Sequence, residues 1–395
     1  MRKLEKSLII TLIFTTIFAV FSWCVPILNI LNASDVYLTK GSIYNDTQDY
    51  GAFVNSKYNK NTQTVDYMLF NTFKLKSVNA ITLEDEYVYL GGDPFGFVCD
   101  SDGVIVVGKN IIQTGKDTVL DNIADNQIKI GDVITSVNGV AIKSGAEISS
   151  IINSKENIGK VVDIVAIRKN KEITTQIKPA YDLYAKKYKL GVWVKEQLSG
   201  IGTVTYIKPN SLRFGALGHP LVEPSSENII QVREGDVYDC NILGVKRAVR
   251  GEPGEYRGVI ANNTIWGAVD KNTDSGIFGN FTNSNVLNNR ELIPIGTRND
   301  VKPGKAQIYS CLDGKNIRAY DIEIIKTNYN NPSNKKSLVF KVTDKRLRDT
   351  TGGIVQGMSG SPIVQNGKLI GAVTHVFIND ATKAFGIYIE NMLQN

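Results

Sequence analysis

The sequence predicts a mainly β protein with a few short helices, placed behind one N-terminal membrane-spanning helix. Three observations lead there. Glycine is abundant at 35 residues and tyrosine stands at 17, while long helical periodicities are scarce. Short apolar runs bounded by turn-forming residues recur along the second half of the chain. Leu8 to Leu31 carries no charged residue. With 395 residues and an apolar fraction of 42%, there is room for two folded domains or more. The divisions expected are a membrane segment at 1–31, a polar stalk at 32–71, a first folded module at 72–180 and a second at 181–395.

Arg2, Lys3 and Lys6 precede the uncharged run, which exceeds the ~20 apolar residues that span a bilayer. Positive charge before such a run holds the N-terminus in the cytoplasm and sends the rest of the chain across the membrane. The reading is an uncleaved signal-anchor; the alternative is a removed signal peptide, although Leu31-Asn32-Ala33 makes a poor cleavage site. Asp35 to Gln63 is polar and aperiodic, a stalk with room for one short hairpin. Phe73, Leu75, Val78 and Ile81 then suggest an extended segment.

From Tyr87 to Pro179 a compact module appears. Gly91-Gly92-Asp93-Pro94-Phe95-Gly96-Phe97 is a glycine-rich loop ending in a hydrophobic-Gly-hydrophobic triplet. Gly131 to Gly139 is a strand closed by Asn138-Gly139, a strong hairpin signal. Ser144 to Glu147 fits a capping box, and Ile148, Ile151 and Ile152 repeat behind it at helical spacing. Val161 to Ile167 and Ile173 to Ile177 read as strands joined at Lys169-Asn170. This order resembles a PDZ domain. The resemblance implies strand addition along the edge beside the capped helix, with Phe95, Gly96 and Phe97 as the loop that holds a peptide carboxylate. The alternative makes both phenylalanines core residues around a tight turn.

Near the C-terminus, Gly357-Met358-Ser359-Gly360-Ser361-Pro362 sits between the apolar pairs Ile354-Val355 and Ile363-Val364. A Gly-x-Ser-Gly-x-Pro turn is the form of the nucleophile loop in double-barrel serine proteases. Glycines at 357 and 360 allow a sharp bend with Ser359 at its apex. The same bend can aim the Gly357 and Ser359 amides at one oxyanion. The alternative is an ordinary Gly/Ser turn, and Ser361 is the rival hydroxyl. A serine nucleophile needs a base, and the chain has two histidines. His219 lies at a strand end between Gly218 and Pro220, with backbone biased to extended geometry. An ordinary imidazole pKa of roughly 6.5 suits a base at neutral pH. His375 lies in the apolar run Ile370 to Phe377 and reads as a core histidine.

The net charge of +6 is spread thinly, with no basic stripe interleaved with aromatics, so nucleic acid is not a partner. Cys24, Cys99, Cys240 and Cys311 form no C-x-x-C pair and read as small buried residues. No metal or cofactor is implied.

Gly200 to Thr205, Phe214 to His219 and Thr351 to Pro362 together resemble the SpoIVB peptidase family of endospore-forming bacteria. One departure is Pro220, where the family pattern has glycine. The resemblance implies a C-terminal β-barrel, chymotrypsin-like serine peptidase with a Ser359, His219, Asp344 triad. Asp236, Asp239, Asp270 and Asp274 also come after His219, and residues alone do not choose among them. The implied biology is membrane-anchored and faces the space between the two forespore membranes. There such a peptidase cleaves itself and a membrane-bound regulator of the intramembrane metalloprotease that processes pro-sigma-K, under PDZ control. The alternative function is a non-catalytic, membrane-tethered PDZ adaptor.

Overall fold

The structure, a computed structural model, describes residues 27–28, 30–31, 35–39, 53–84, 87–116, 118–120, 127–222, 229–327 and 336–395. The membrane run Leu8 to Leu31 lies almost wholly outside the described residues. Among these, no helix is long and apolar enough to cross a membrane. The described chain is mainly β, with three short α-helices.

The N-terminal part expected as a stalk contains ordered sheet. Val54–Asn59 and Thr64–Leu69 form a hairpin, Phe73–Leu83 pairs beside it, and Val36–Thr39 adds in parallel. Val36, Leu38, Val65, Tyr67, Val78 and Ala80 supply its core. The alternation of these residues across the strands buries one face and leaves the other polar. The extended segment expected at residues 73–81 therefore belongs to this sheet, and the module read as starting at residue 72 starts later.

Beyond this sheet the chain builds two closed six-stranded barrels. The first is formed by Pro94–Lys109, Val232–Lys246, Glu255–Thr273, Gly276–Phe281, Arg213–Ala216 and Val192–Ile207, and pairing of the last with the first closes the ring. Phe95, Phe214 and Phe281 fill its centre, with Phe214 and Phe281 4.7 Å apart between ring centroids. The second barrel joins Gly304–Cys311, Ile317–Thr327, Leu338–Val342, Asp380–Tyr388, Lys368–Phe377 and Pro362–Gln365. Its core includes Ile308, Ile322, Phe340, Ile363, Val373 and Tyr388.

The PDZ module is inserted between the first two strands of the first barrel. Its hairpin closes at Asn138-Gly139, both with positive φ, and its helix Gly145–Ile152 carries the expected capping box. Strands Val162–Arg168 and Lys171–Ile177 complete it. The two strands that carry the chain in and out, Pro94–Lys109 and Val192–Ile207, are each 16 residues long. Each runs through both units, so barrel and PDZ module are welded along continuous backbone.

This weld corrects the expected peptide loop. Phe95, Gly96 and Phe97 lie inside a barrel strand, paired on one side with Gly202, Ile201 and Gly200 and on the other with Asp239, Tyr238 and Val237. Both edges are taken, and both phenylalanines are buried. No peptide can add there. The Tyr/Lys-rich stretch 181–189 is likewise no free linker, since Ala180–Asp182 and Lys187–Lys189 pair and Asp182 caps their turn. Cys99, Cys240 and Cys311 are free and buried, and burial pushes the Cys99 thiol up to about 12.

Candidate active site

The Ser359 turn is shaped by the groups that stand against it. Gly360 has φ of 93°, and a Cβ there would lie 2.0 Å from the Thr203 carbonyl oxygen. Gly357 has φ of 97°, and its Cβ would lie 2.5 Å from the Tyr256 ring. Only glycine fits either position. The turn belongs to the second barrel, but the first barrel grips its carbonyls. Thr203 donates from its amide to Ser359 O at 3.0 Å and from Oγ1 to Gly357 O at 2.7 Å. Thr205 Oγ1 donates to Gly360 O at 2.7 Å.

With the carbonyls engaged, the amides are left over. Met358, Gly360 and Ser361 donate to Val355, Val373 and Met358. Among the described residues, the amides of Gly357 and Ser359 find no intramolecular acceptor. Half-buried N–H groups without acceptors cost free energy unless something else takes their bonds. Two such donors flanking a serine match the needs of an oxyanion.

Ser359 Oγ donates to the Thr374 carbonyl at 2.8 Å. Ser361, the rival, is fully buried and shares a chain of hydroxyls with Ser310, at 3.0 Å, and Tyr256. It is a structural hydroxyl.

His219 comes directly after Leu217 and Gly218, both at φ of 66°. Two successive left-handed residues end the strand Arg213–Ala216 abruptly and turn the imidazole towards the second barrel. Its Nδ1 lies 2.9 Å from the Pro220 carbonyl oxygen. A carbonyl only accepts, so Nδ1 is the donor in this contact, and in the neutral imidazole the lone pair that a base needs then sits on Nε2.

His219, Gly357 and Ser359 line one cleft of about 750 Å³ between the barrels. Phe97, Ile201, Leu217, Val355, Val376 and Ile378 give it apolar walls. His375 lines it too. Its ring is exposed and stands 4.9 Å from the His219 ring, at an interplanar angle of 39°. The core reading of His375 is therefore corrected. Register with the strand Asp380–Tyr388 slips between Val373 and Val376, which breaks the alternation that a sequence pattern relies on.

Asp344 is not brought to this cleft. It is the N-cap of helix Lys345–Thr351, accepting from the Leu347 amide at 3.2 Å and from Arg346 Nη2 at 2.7 Å. Its remaining bonds come from Arg346 Nε and the Asp321 amide, and none comes from His219. The Arg346 guanidinium holds its carboxyl below the usual carboxylate range, against the opposing pull of burial. Its observed work is capping. Among the other acids, Asp274 begins the turn that reaches Gly276, and a Cβ at Gly276 would lie 3.1 Å from the Gly218 nitrogen, beside His219.

Comparison with known proteins agrees with this architecture. The family profile of SpoIVB peptidase S55 matches residues 186–393, and a PDZ domain profile matches 96–178. No curated protein matches the chain. Among solved structures, the PDZ domain of an SdrC-like protein from Listeria monocytogenes is similar at 29% identity. It covers 24% of this chain and 87% of its own, with a TM-score of 0.19. The active form of the Rv3671c protease from M. tuberculosis is similar at 11% identity over 62% of this chain and 85% of its own, with a TM-score of 0.25. The family assignment does not depend on these two. It rests on the match over more than half the chain: this protein belongs to the SpoIVB peptidase S55 family and is a serine peptidase that carries a PDZ domain.

Proposed function

We propose that the chain is an endopeptidase with Ser359 as nucleophile and His219 as general base, the imidazole being oriented by the Pro220 carbonyl. One observation carries the reading: a single cleft holds the hydroxyl, the imidazole and two amides without intramolecular acceptors. In the reaction, Ser359 Oγ turns from Thr374, gives its proton to His219 Nε2 and bonds to the substrate carbonyl carbon. The amides of Gly357 and Ser359 bind the resulting oxyanion, a contribution of roughly 3–4 kcal/mol per donor. His219 then returns the proton to the departing amine, leaving an ester on Ser359. Water, deprotonated by the same imidazole, cleaves the ester. Keeping the proton on Nδ1 is the task an aspartate performs in a triad. The apolar walls favour an apolar side chain beside the scissile bond.

The finer biology belongs to the same proposal. The chain is anchored by Leu8 to Leu31 with its folded part exported, facing the space between the forespore membranes. It cleaves itself and the membrane-bound regulator of an intramembrane protease that processes pro-sigma-K. Family membership and the charges Arg2, Lys3 and Lys6 before the uncharged run support this. Against the adaptor reading stands the retention of hydroxyl, imidazole and free amides in one cleft. Incubating the purified full chain beside its Ser359→Ala variant tests the proposal. The parent chain shortens itself and the variant does not; two chains of equal stability would defeat the enzymatic reading.

A further inference from the structure

Both histidines of the chain stand in the catalytic cleft, although its chemistry uses only His219. His375 is exposed there, on the strand Lys368–Phe377, with its ring centre 4.9 Å from that of His219. An ion held about 2.0–2.1 Å from one nitrogen of each ring, at a tetrahedral angle, sets two imidazole centres about 5 Å apart. The observed spacing is therefore the one that two ligands of a single metal ion take. The contact of His219 Nδ1 with the Pro220 carbonyl leaves Nε2 as the coordinating atom. A backbone carbonyl on the other ring nitrogen is the usual support of a ligating histidine. The torsion that swings the His375 ring is soft, so either of its nitrogens can be turned towards the ion. No lysine or arginine lines the cleft among the described residues, so no fixed positive charge there repels a cation.

We propose that His219 and His375 bind one Zn²⁺ across the cleft and that the bound ion inhibits the peptidase. Inhibition follows from a single electron pair. The Nε2 lone pair that accepts the Ser359 proton is the pair given to the metal, and the imidazole cannot do both. Zn²⁺ suits the pair because imidazole is among its preferred ligands and its d-electrons impose no geometry. Among the described residues, no group of three or more histidine, cysteine, aspartate or glutamate side chains gathers to hold a metal ion. Water therefore fills the remaining positions, and the ion is an exchangeable brake rather than a structural or catalytic metal. The inhibition rests on the reading of His219 as the base; the binding of zinc does not.

Binding is tested by titrating ZnCl₂ into the full chain in detergent, without a polyhistidine tag and carrying Ser359→Ala so that it stays intact. Calorimetry is expected to show one more Zn²⁺ bound than in the same protein with His375→Ala added. His375→Cys, which supplies another zinc ligand, is expected to recover it. Should the alanine variant misfold, nuclear magnetic resonance of ¹⁵N-histidine-labelled protein decides without it. The chain has only two imidazoles, and both should shift on adding zinc. Inhibition is read on the parent chain as the rate of Ser359 labelling by a fluorophosphonate. Zn²⁺ at about ten times its dissociation constant should slow labelling about tenfold, and EDTA should restore the rate. Mg²⁺, which prefers oxygen ligands, should leave it unchanged. Equal zinc uptake with and without His375, a shift of one imidazole alone or of neither, or labelling indifferent to bound zinc would overturn the proposal. A parent chain that never labels, with or without zinc, would defeat the peptidase reading while the titration still decides the site.

Discussion

The catalytic cleft and the PDZ sheet are served by the two ends of one strand, and each end borders an open cavity. Val192–Ile207 begins as the outermost strand of the PDZ sheet and continues as a stave of the first barrel. At its first end, Val192 and Val194 pack into the PDZ core. At its far end, Thr203 takes up the carbonyls of the nucleophile turn and leaves two amides exposed to the cleft. Where a strand's donors and apolar side chains are matched within the chain, it serves as scaffold. A reactive site is one where matching is withheld at chosen atoms, and here both conditions are set by one run of backbone.

Variants that strike one end and spare the other sharpen this contrast. His219→Ala removes the base and should lower kcat on the order of a millionfold in a peptide-hydrolysis assay. Hydrogen exchange at 192–195 should be unaltered. Thr203→Val keeps the shape but removes the hydroxyl that holds the Gly357 carbonyl, leaving that acceptor unpaired. The cost is about 1–3 kcal/mol, read as a roughly ten- to hundredfold loss in kcat/KM. Glu196→Gln acts at the other end, weakening the carboxylate contact with the Gly145 amide by about 0.5–1 kcal/mol. Faster hydrogen exchange at 192–195, with exchange at 203–207 unaltered, would register it.

Asp344→Asn has the smallest expected effect. Asparagine caps helices about as well, so stability at neutral pH should change by less than about 1 kcal/mol. The Arg346 guanidinium depresses the Asp344 carboxyl, so the stability it adds is complete above the ordinary carboxylate value of roughly 3.9. That stability is lost as the pH falls through the lower folded value. The gap in denaturation midpoint between the two proteins should therefore shrink below pH 4, by the measure of urea unfolding at pH 7 and pH 3.

Much of this was legible in the residues because the signals were local. Asn138-Gly139, the Ser144–Glu147 box and the turn around Ser359 each state their geometry within a few positions, and the structure forms all three. The features that escaped were set by distant pairing. Phe95-Gly96-Phe97 looks like a loop until Gly200 to Gly202 and Val237 to Asp239 close on both its edges. Val192 to Glu196 shows alternation, but nothing in its letters says that the covered face belongs to a domain behind it. His375 was hidden by a register slip, and the reach of Asp344 by an arginine two residues away.

The account turns on Ser359 being activated by His219 with Asp344 elsewhere, and the rate of phosphonylation by a fluorophosphonate measures that directly. Parent chain and Asp344→Asn should label at Ser359 within roughly tenfold of each other, while His219→Ala stays unlabelled. An Asp344→Asn protein as inert as His219→Ala would contradict it.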